Sequence, residues 1–165
     1  MKILVLSDSH ASLRLMRSFI RTVRPDAVIH LGDFYDDGRT IAEENPHIRF
    51  HQLPGNCDRF RAPQDMPPVM YYDVCGVRLY MTHGHLHNVK SSTARLLSDA
   101  RKAQVQAVLY GHTHIPDCHQ EPDGLWVLNP GSCGHGAGTA GVIETESNAI
   151  SACYLISEAA LEGML

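Results

Sequence analysis

The sequence predicts an α/β fold, and three observations carry that expectation. Through residue 110, short β-branched and leucine-rich runs alternate with amphipathic helical stretches. Each apolar run stops at a glycine or a small polar cluster. Beyond residue 114 the helical periodicity fades and strand-sized runs follow one another across turn residues, so α/β units come early and β-hairpins late.

Lys2 to Leu6 reads as a buried strand ending at Ser7-Asp8-Ser9-His10. Ser12 is placed to cap a helix with Leu13, Met16, Phe19, Ile20 and Val23 on one face and Arg14, Arg17 and Arg21 on the other; Pro25 ends it. Ala27 to Leu31 forms a second strand stopping at Gly32-Asp33, and the β-α-β order predicts parallel pairing. A weaker helix covers Thr40 to Glu44. Ile48 to Leu53 is a third strand, ending at Pro54-Gly55-Asn56-Cys57-Asp58. Met70 to Val74 and Val77 to Thr82 are two strands joined at Cys75-Gly76, the second running into His83-Gly84-His85. Ser92 to Ala103 is a helix with Ala94, Leu96, Leu97 and Ala100 inward, and Val105 to Tyr110 is a strand ending at Gly111-His112-Thr113-His114. The helices then stop. Leu125 to Leu128, Gly141 to Thr145 and Ile150 to Ile156 read as antiparallel strands with turns at Pro122-Asp123-Gly124 and Ser147-Asn148.

The 165 residues match one ordinary domain, residues 1–165, with 44 % hydrophobic and 19 % charged content. The first apolar run is too short for a signal-peptide core or a membrane span, so the expected compartment is the cytoplasm. Five cysteines, at 57, 75, 118, 133 and 153, are odd in number and contain no Cys-x-x-Cys, which argues against a disulfide framework and a structural zinc site. A net charge of −4 gives no electrostatic footprint for nucleic acid. There are 11 histidines, many next to glycine or an acidic residue. In open α/β sheets, ligands sit outside the carboxyl ends of the strands, so polar clusters that terminate strands converge although distant in sequence. Carboxylates, imidazoles and a carboxamide together suit a hard or borderline divalent metal. Asp8-x-His10 and His112-x-His114 have the i, i+2 spacing that, on an extended segment, puts both side chains on one side of the backbone. Taken singly, each cluster reads equally as turn or core chemistry; the ordered set points to a metal centre.

That order, Asp-x-His, Gly-Asp, Gly-Asn-x-Asp, His, Gly-His-x-His, resembles the calcineurin-like metallophosphoesterase superfamily, in particular its small single-domain branch of YfcE-like phosphodiesterases, from Asp8 to about Ser132. The resemblance implies two mixed β-sheets packed as a sandwich flanked by helices. It implies two divalent metal ions, with Asp8, His10 and His114 on the first, Asn56, His83 and His112 on the second, Asp33 bridging them, and a bridging hydroxide as nucleophile. A carboxylate bridge holds two cations about 3.5–4 Å apart, a spacing that activates water and clamps the oxygens of an in-line displacement. Mn²⁺ is the favoured ion; Ni²⁺, Fe, Co²⁺ and Zn²⁺ suit the same donors. Many phosphatases of the superfamily carry histidine where this chain has Cys57. A thiol is poorly matched to general-acid work, so Cys57 reads as an acid candidate or a small filler, with His85 the other candidate acid or a supporting hydrogen-bonding group. Asp58 is expected to orient its neighbours. Asn129-Pro130-Gly131-Ser132 resembles a pocket-shaping segment of this branch, or is a plain turn. Arg59 and Arg61 are a possible donor fork for phosphate or a solvated face. His30, His47, His51, His87, His119 and His135 have no assigned partner.

The expected activity is hydrolysis of a small phosphodiester, since a diester demands less of an arginine clamp than a monoester dianion and no clamp is evident. Phosphomonoesterase activity is the enzyme alternative. The rival from another class is a protein-interaction scaffold, the use to which retromer-subunit relatives put this fold. An oligomer is compatible with the sequence.

Overall fold

The computed structural model describes residues 1–162. Ten strands, β1 (Lys2–Leu6), β2 (Ala27–His30), β3 (Arg49–Gln52), β4 (Val69–Val74), β5 (Val77–Thr82), β6 (Ala107–Leu109), β7 (Asp117–Gln120), β8 (Trp126–Asn129), β9 (Thr139–Glu146) and β10 (Ala149–Ser157), form two sheets. Four helices accompany them: α1 (Leu13–Val23), α2 (Tyr35–Glu44), α3 (Ala94–Lys102) and α4 (Glu158–Glu162). One sheet runs β10-β9-β1-β2-β3 and the other β4-β5-β6-β8-β7. Both are mixed: β1, β2 and β3 are parallel while β9 and β10 join antiparallel. In the second sheet β5, β6 and β8 are parallel, with β4 and β7 antiparallel at the edges. The sandwich expected from the family resemblance is therefore the observed fold.

Strand alternation sorts the apolar residues into layers. Ile3, Val5, Ala27 and Ile29 face Leu79, Met81, Ala107 and Leu109 between the sheets. Leu4, Leu6 and Val28 turn outward onto Met16, Phe19 and Ile20 of α1 and Ile41 of α2. Tyr80, Val108 and Val127 pack under Leu96 and Ala100 of α3. Registers align the carboxyl ends: Leu6 pairs with His30, His30 with Gln52, and Met81 with Leu109. All five loops that carry polar clusters thus leave from one edge of the sandwich.

Several elements differ from expectation. Ser12 makes no side-chain cap to α1; its N–H donates to Ser9 O at 2.9 Å instead. The weak helix begins at Tyr35, five residues earlier than predicted, because the distant Asp58 carboxylate accepts the Phe34 and Tyr35 N–H groups at its start, both at 2.9 Å. The strand over Leu125 to Leu128 is β8, antiparallel to β7 but parallel to β6, so this region is only partly a hairpin array. Strand β7 was not expected; Asp-Cys-His-Gln lacks alternation and lies at a sheet edge. Helices do not stop after residue 103, since α4 docks Leu161 against α1. Among the described residues no helix is long and apolar enough to cross a membrane.

Candidate metal centre

The loops at this edge are held in strained conformations. Asp8, His10, Asp33, His112 and His114 have φ of 54°, 44°, 57°, 68° and 60°. Left-handed backbone is uncommon for such residues and persists where surrounding contacts over-determine it. The two i, i+2 pairs therefore converge through tight left-handed turns, not along extended segments as the spacing suggested. Buried polar groups supply the contacts. Asp37 accepts Ser9 Oγ at 2.7 Å and Ala11 N–H at 2.8 Å. Asp58, fully buried, accepts Gly55 N–H at 2.8 Å besides the two α2 amides, which bears out its orienting role. Ser132 Oγ donates to Asp8 O at 2.7 Å, and Asn129 Nδ2 donates to Thr113 Oγ1 at 2.9 Å and Gly111 O at 3.2 Å. The Asn129–Ser132 segment is thus a lace between the first and fifth loops. Glycine is required at 55 and 111 because a Cβ there would collide with the Asp33 carboxylate and with Ser7 and Asp8 respectively.

The donor atoms face one another. Asp8 Oδ2 accepts Ser7 Oγ at 2.5 Å and His112 N–H at 3.1 Å, while its buried Oδ1 has no hydrogen-bond partner and lies 3.0 Å from His114 Nε2. His10 Nε2 and His114 Nε2 are 3.3 Å apart. His83 Nδ1 donates to Leu31 O at 2.8 Å, so in the neutral ring Nε2 carries a lone pair. That lone pair sits 3.1 Å from Asn56 Oδ1 and 3.6 Å from Asp33 Oδ2. Asp8, Asp33 and His83 are buried, His10 is half-buried, and Asn56 and His114 are open to solvent; nitrogen and oxygen atoms brought this close suit a divalent cation between them. Among the described residues, two groups have ligand atoms mutually within 4.8 Å: Asp8, His10 and His114, and Asp8, Asp33 and His83. Asp8 is common to both, a more central place than the family pattern gives it. The His112 ring packs 5.1 Å, centroid to centroid, from His83.

Electrostatics follow from burial. Burial, then His83 and Lys90, hold His112 down to about 4, leaving its lone pair available. Burial works to raise the Asp33 carboxyl, but His83 and the Cys57 amide outweigh it and the net shift is downward. Partial desolvation and then Asp33 push the thiol of the exposed Cys57 up to about 11. Burial lowers His85, whose Nδ1 is enclosed without a partner and whose ring lies 5.4 Å from His83. A cavity of about 410 Å³ opens beside these groups, lined by Asn56, Arg59, Ala62, Met66, Pro68 and His85. Arg61 does not form a donor fork with Arg59: it bonds Cys57 O at 3.0 Å and covers the Phe34 ring at 4.8 Å.

One residue at the site had no sequence signal. His135, in a loop after β8, stacks on His114 with centroids 5.6 Å apart and stands 4.6 Å from His10. Its flanking Gly134 and Gly136 read only as a turn; Ser132 Oγ, accepting the His135 N–H at 2.9 Å, places it. Of the other unassigned histidines, His30 meets Ser9 Oγ, His51 packs on Tyr72, His87 meets Tyr80 and His119 pairs with Asp117 and Glu121.

Comparison with known proteins gives a consistent picture. The model of the calcineurin-like phosphoesterase superfamily domain matches residues 1–148. A probable metallophosphoesterase of Mycoplasma pneumoniae is 28% identical over 134 residues, covering 79% of this chain and 78% of that one. A Bacillus subtilis protein with the same description is 27% identical over 134 residues, covering 80% and 75%. Among solved structures, a novel archaeal phosphodiesterase aligns with TM-score 0.71 at 24% identity, covering 95% of this chain and 99% of that one. Entamoeba histolytica Vps29 complexed with Zn²⁺ aligns with TM-score 0.71 at 18% identity, with coverage of 95% and 99%. At these identities the structural matches speak for the fold.

Proposed function

Because the chain belongs to the calcineurin-like phosphoesterase superfamily, we propose that it is a metal-dependent phosphodiesterase working through a two-metal centre. The observation that carries this reading is the convergence of nitrogen and oxygen ligand atoms, above all His83 Nε2 and Asn56 Oδ1 at 3.1 Å. Asp8, His10 and His114 would hold one cation and Asn56, His83 and His112 the other, with Asp33 between them. Two divalent cations, when bound, would supply a water made nucleophilic at neutral pH and positive charge for the phosphoryl oxygens. Mn²⁺ is the ion we favour for this set.

The chain's own groups do the rest. Leu31 O fixes the His83 tautomer, and the Cys57 N–H, 2.9 Å from Asp33 Oδ1, leaves Oδ2 as the free donor of that carboxylate. His85 is our candidate for handing a proton to the leaving oxygen, since it lines both the donor cluster and the cavity. The apolar walls at Ala62, Met66 and Pro68 suit the carbon skeleton of one ester group, and the Arg59 guanidinium suits a planar or polar part of it. A diester fits a site with one such arginine better than a monoester dianion does. The name of the archaeal structural neighbour supports the same substrate class. A scaffold of the Vps29 kind would share the fold. Since that neighbour is itself complexed with Zn²⁺, metal binding alone does not separate the two readings; turnover of an ester does.

The test is hydrolysis of a bis-aryl phosphodiester and its mono-aryl counterpart by metal-stripped protein, with and without Mn²⁺, beside Asp33→Asn. Metal-restored cleavage with the diester preferred, reduced about 10²-fold or more in the variant, is the expected result. Folded protein that turns over neither ester with any divalent metal would move the reading to the scaffold.

A further inference from the structure

Cys118 of β7 and Cys153 of β10 lie at corresponding edges of the two different sheets, and their Sγ atoms are 3.2 Å apart. Both are half-buried against the core between the sheets. The remaining cysteines are differently placed: Cys57 and Cys75 are exposed, Cys133 is buried, and none meets another sulfur among the described residues. The β7–β8 and β9–β10 ladders fix the two backbones that carry the pair. We infer that Cys118 and Cys153 form a reversible dithiol–disulfide site that ties the two sheets together when the protein meets a low-molecular-weight disulfide.

A disulfide needs its sulfurs at about 2.05 Å, so the pair must close by about 1.2 Å, within the reach of side-chain rotation. The exchange runs in two steps. One of the two thiolates, taken as Cys118 for definiteness, attacks one sulfur of the reagent R–S–S–R, forming Cys118–S–S–R and expelling RS⁻, which takes up the proton Cys118 gave to solvent. Cys153 then attacks Cys118 Sγ, the intramolecular S–S bond forms, and the second RS⁻ leaves and is protonated. Two electrons pass from the cysteines to the reagent, giving two RSH. Burial raises both thiols, but the Cys153 contact works to lower Cys118 while the Cys118 contact raises Cys153 further. With both thiols raised, the exchange is slow at neutral pH and quickens toward pH 9, whichever of the two attacks first. The closed loop encloses β8, the Asn129–Ser132 lace, His135 and β9, none of which is consumed by the reaction.

The experiment treats the full chain with oxidised glutathione at pH 7 and pH 9, blocks remaining thiols with N-ethylmaleimide, and maps the peptides. The expected product joins the Cys118 and Cys153 peptides with loss of two hydrogens, forms faster at pH 9, and raises the thermal midpoint by about 5–10 °C. Cys118→Ser and Cys153→Ser should each lack both the link and the thermal shift, and protein held in guanidinium should lose the selectivity for this pair. Recovery of Cys118 and Cys153 as blocked thiols, or only as separate glutathione adducts, would overturn the inference. A linked protein with an unshifted midpoint would overturn the claim that the bond ties the sheets.

Discussion

Cys57 and His85 compete for the proton-donating role that the donor set leaves open. The exposed thiol is held at about 11 by partial desolvation and by Asp33, so it stays protonated at neutral pH yet gives up its proton reluctantly, a poor match to leaving-group chemistry. His85 faces the cavity from beside His83 and His112; burial lowers its pKa, so its protonated form is the minority at neutral pH and its donating role strengthens as pH falls. On the present account Cys57→Ala keeps kcat within about threefold, whereas His85→Ala lowers it about 10²-fold with metal content unchanged. Steady-state rates with bis-aryl phosphodiester and metal analysis of both variants check this; the reverse ranking would give the role to Cys57. These two residues could be named from sequence because they adjoin the donor motifs. His135 could not, since only the Ser132 lace carries it 4.6 Å from the His10 ring. The same holds for the Cys118–Cys153 contact: an odd cysteine count argued against a disulfide framework, and only the facing of two sheet edges brings the sulfurs together.

At the scale of elements, β2 carries a cost that pH exposes. His30, its last residue, is fully buried with Nδ1 unpaired. Burial lowers its pKa despite the raising influence of Asp8, Asp58 and Asp37. In the unfolded chain an imidazole titrates near 6.5. A folded-state pKa below that value means the unfolded chain takes up the proton first, so stability is full above pH 6.5 and falls as pH drops below it. Burial acts in the same direction on His51 and His87. The thermal midpoint is thus expected to decline from pH 7 to pH 5.5, and His30→Leu to flatten the decline; Ser9 Oγ retains its bond to Asp37 in that variant. An equally steep decline in His30→Leu would remove His30 as the cause. The parallel strands β1 to β3 and helices α1 and α3 were legible because their periodicity and burial agree. Strand β7 and the first turn of α2 were not: Asp117-Cys118-His119-Gln120 gains its pairing from β8 alone, and Tyr35-Asp36-Asp37-Gly38 is helical because a carboxylate 23 residues away caps it.

For the whole molecule, the consequential feature is that the donors come from both sheets. Asp8, His10, Asp33 and Asn56 follow strands of one, and His83, His112 and His114 follow strands of the other. Direct bonds cross between the sheets at this edge, among them His83 Nδ1–H to Leu31 O at 2.8 Å, His112 N–H to Asp8 Oδ2 at 3.1 Å and Ser132 Oγ–H to Asp8 O at 2.7 Å. Bound cations, held by residues of both sheets, would add to these ties as well as serve the chemistry. At a free concentration about 100 times the dissociation constant, a single bound cation stabilises by about 2.7 kcal/mol. A protein of this size should then melt several degrees higher with Mn²⁺ than with chelator, and Asp33→Asn should narrow that gap. The measurement that bears most directly on the proposed two-metal centre is the Mn²⁺ content of the stripped and reloaded chain after removal of free ion, read with the electron paramagnetic resonance of the same sample. Two Mn²⁺ per chain with an exchange-coupled signal, lost in Asp33→Asn, is the predicted result. One isolated Mn²⁺ per chain, or none in protein shown to be folded, would contradict it.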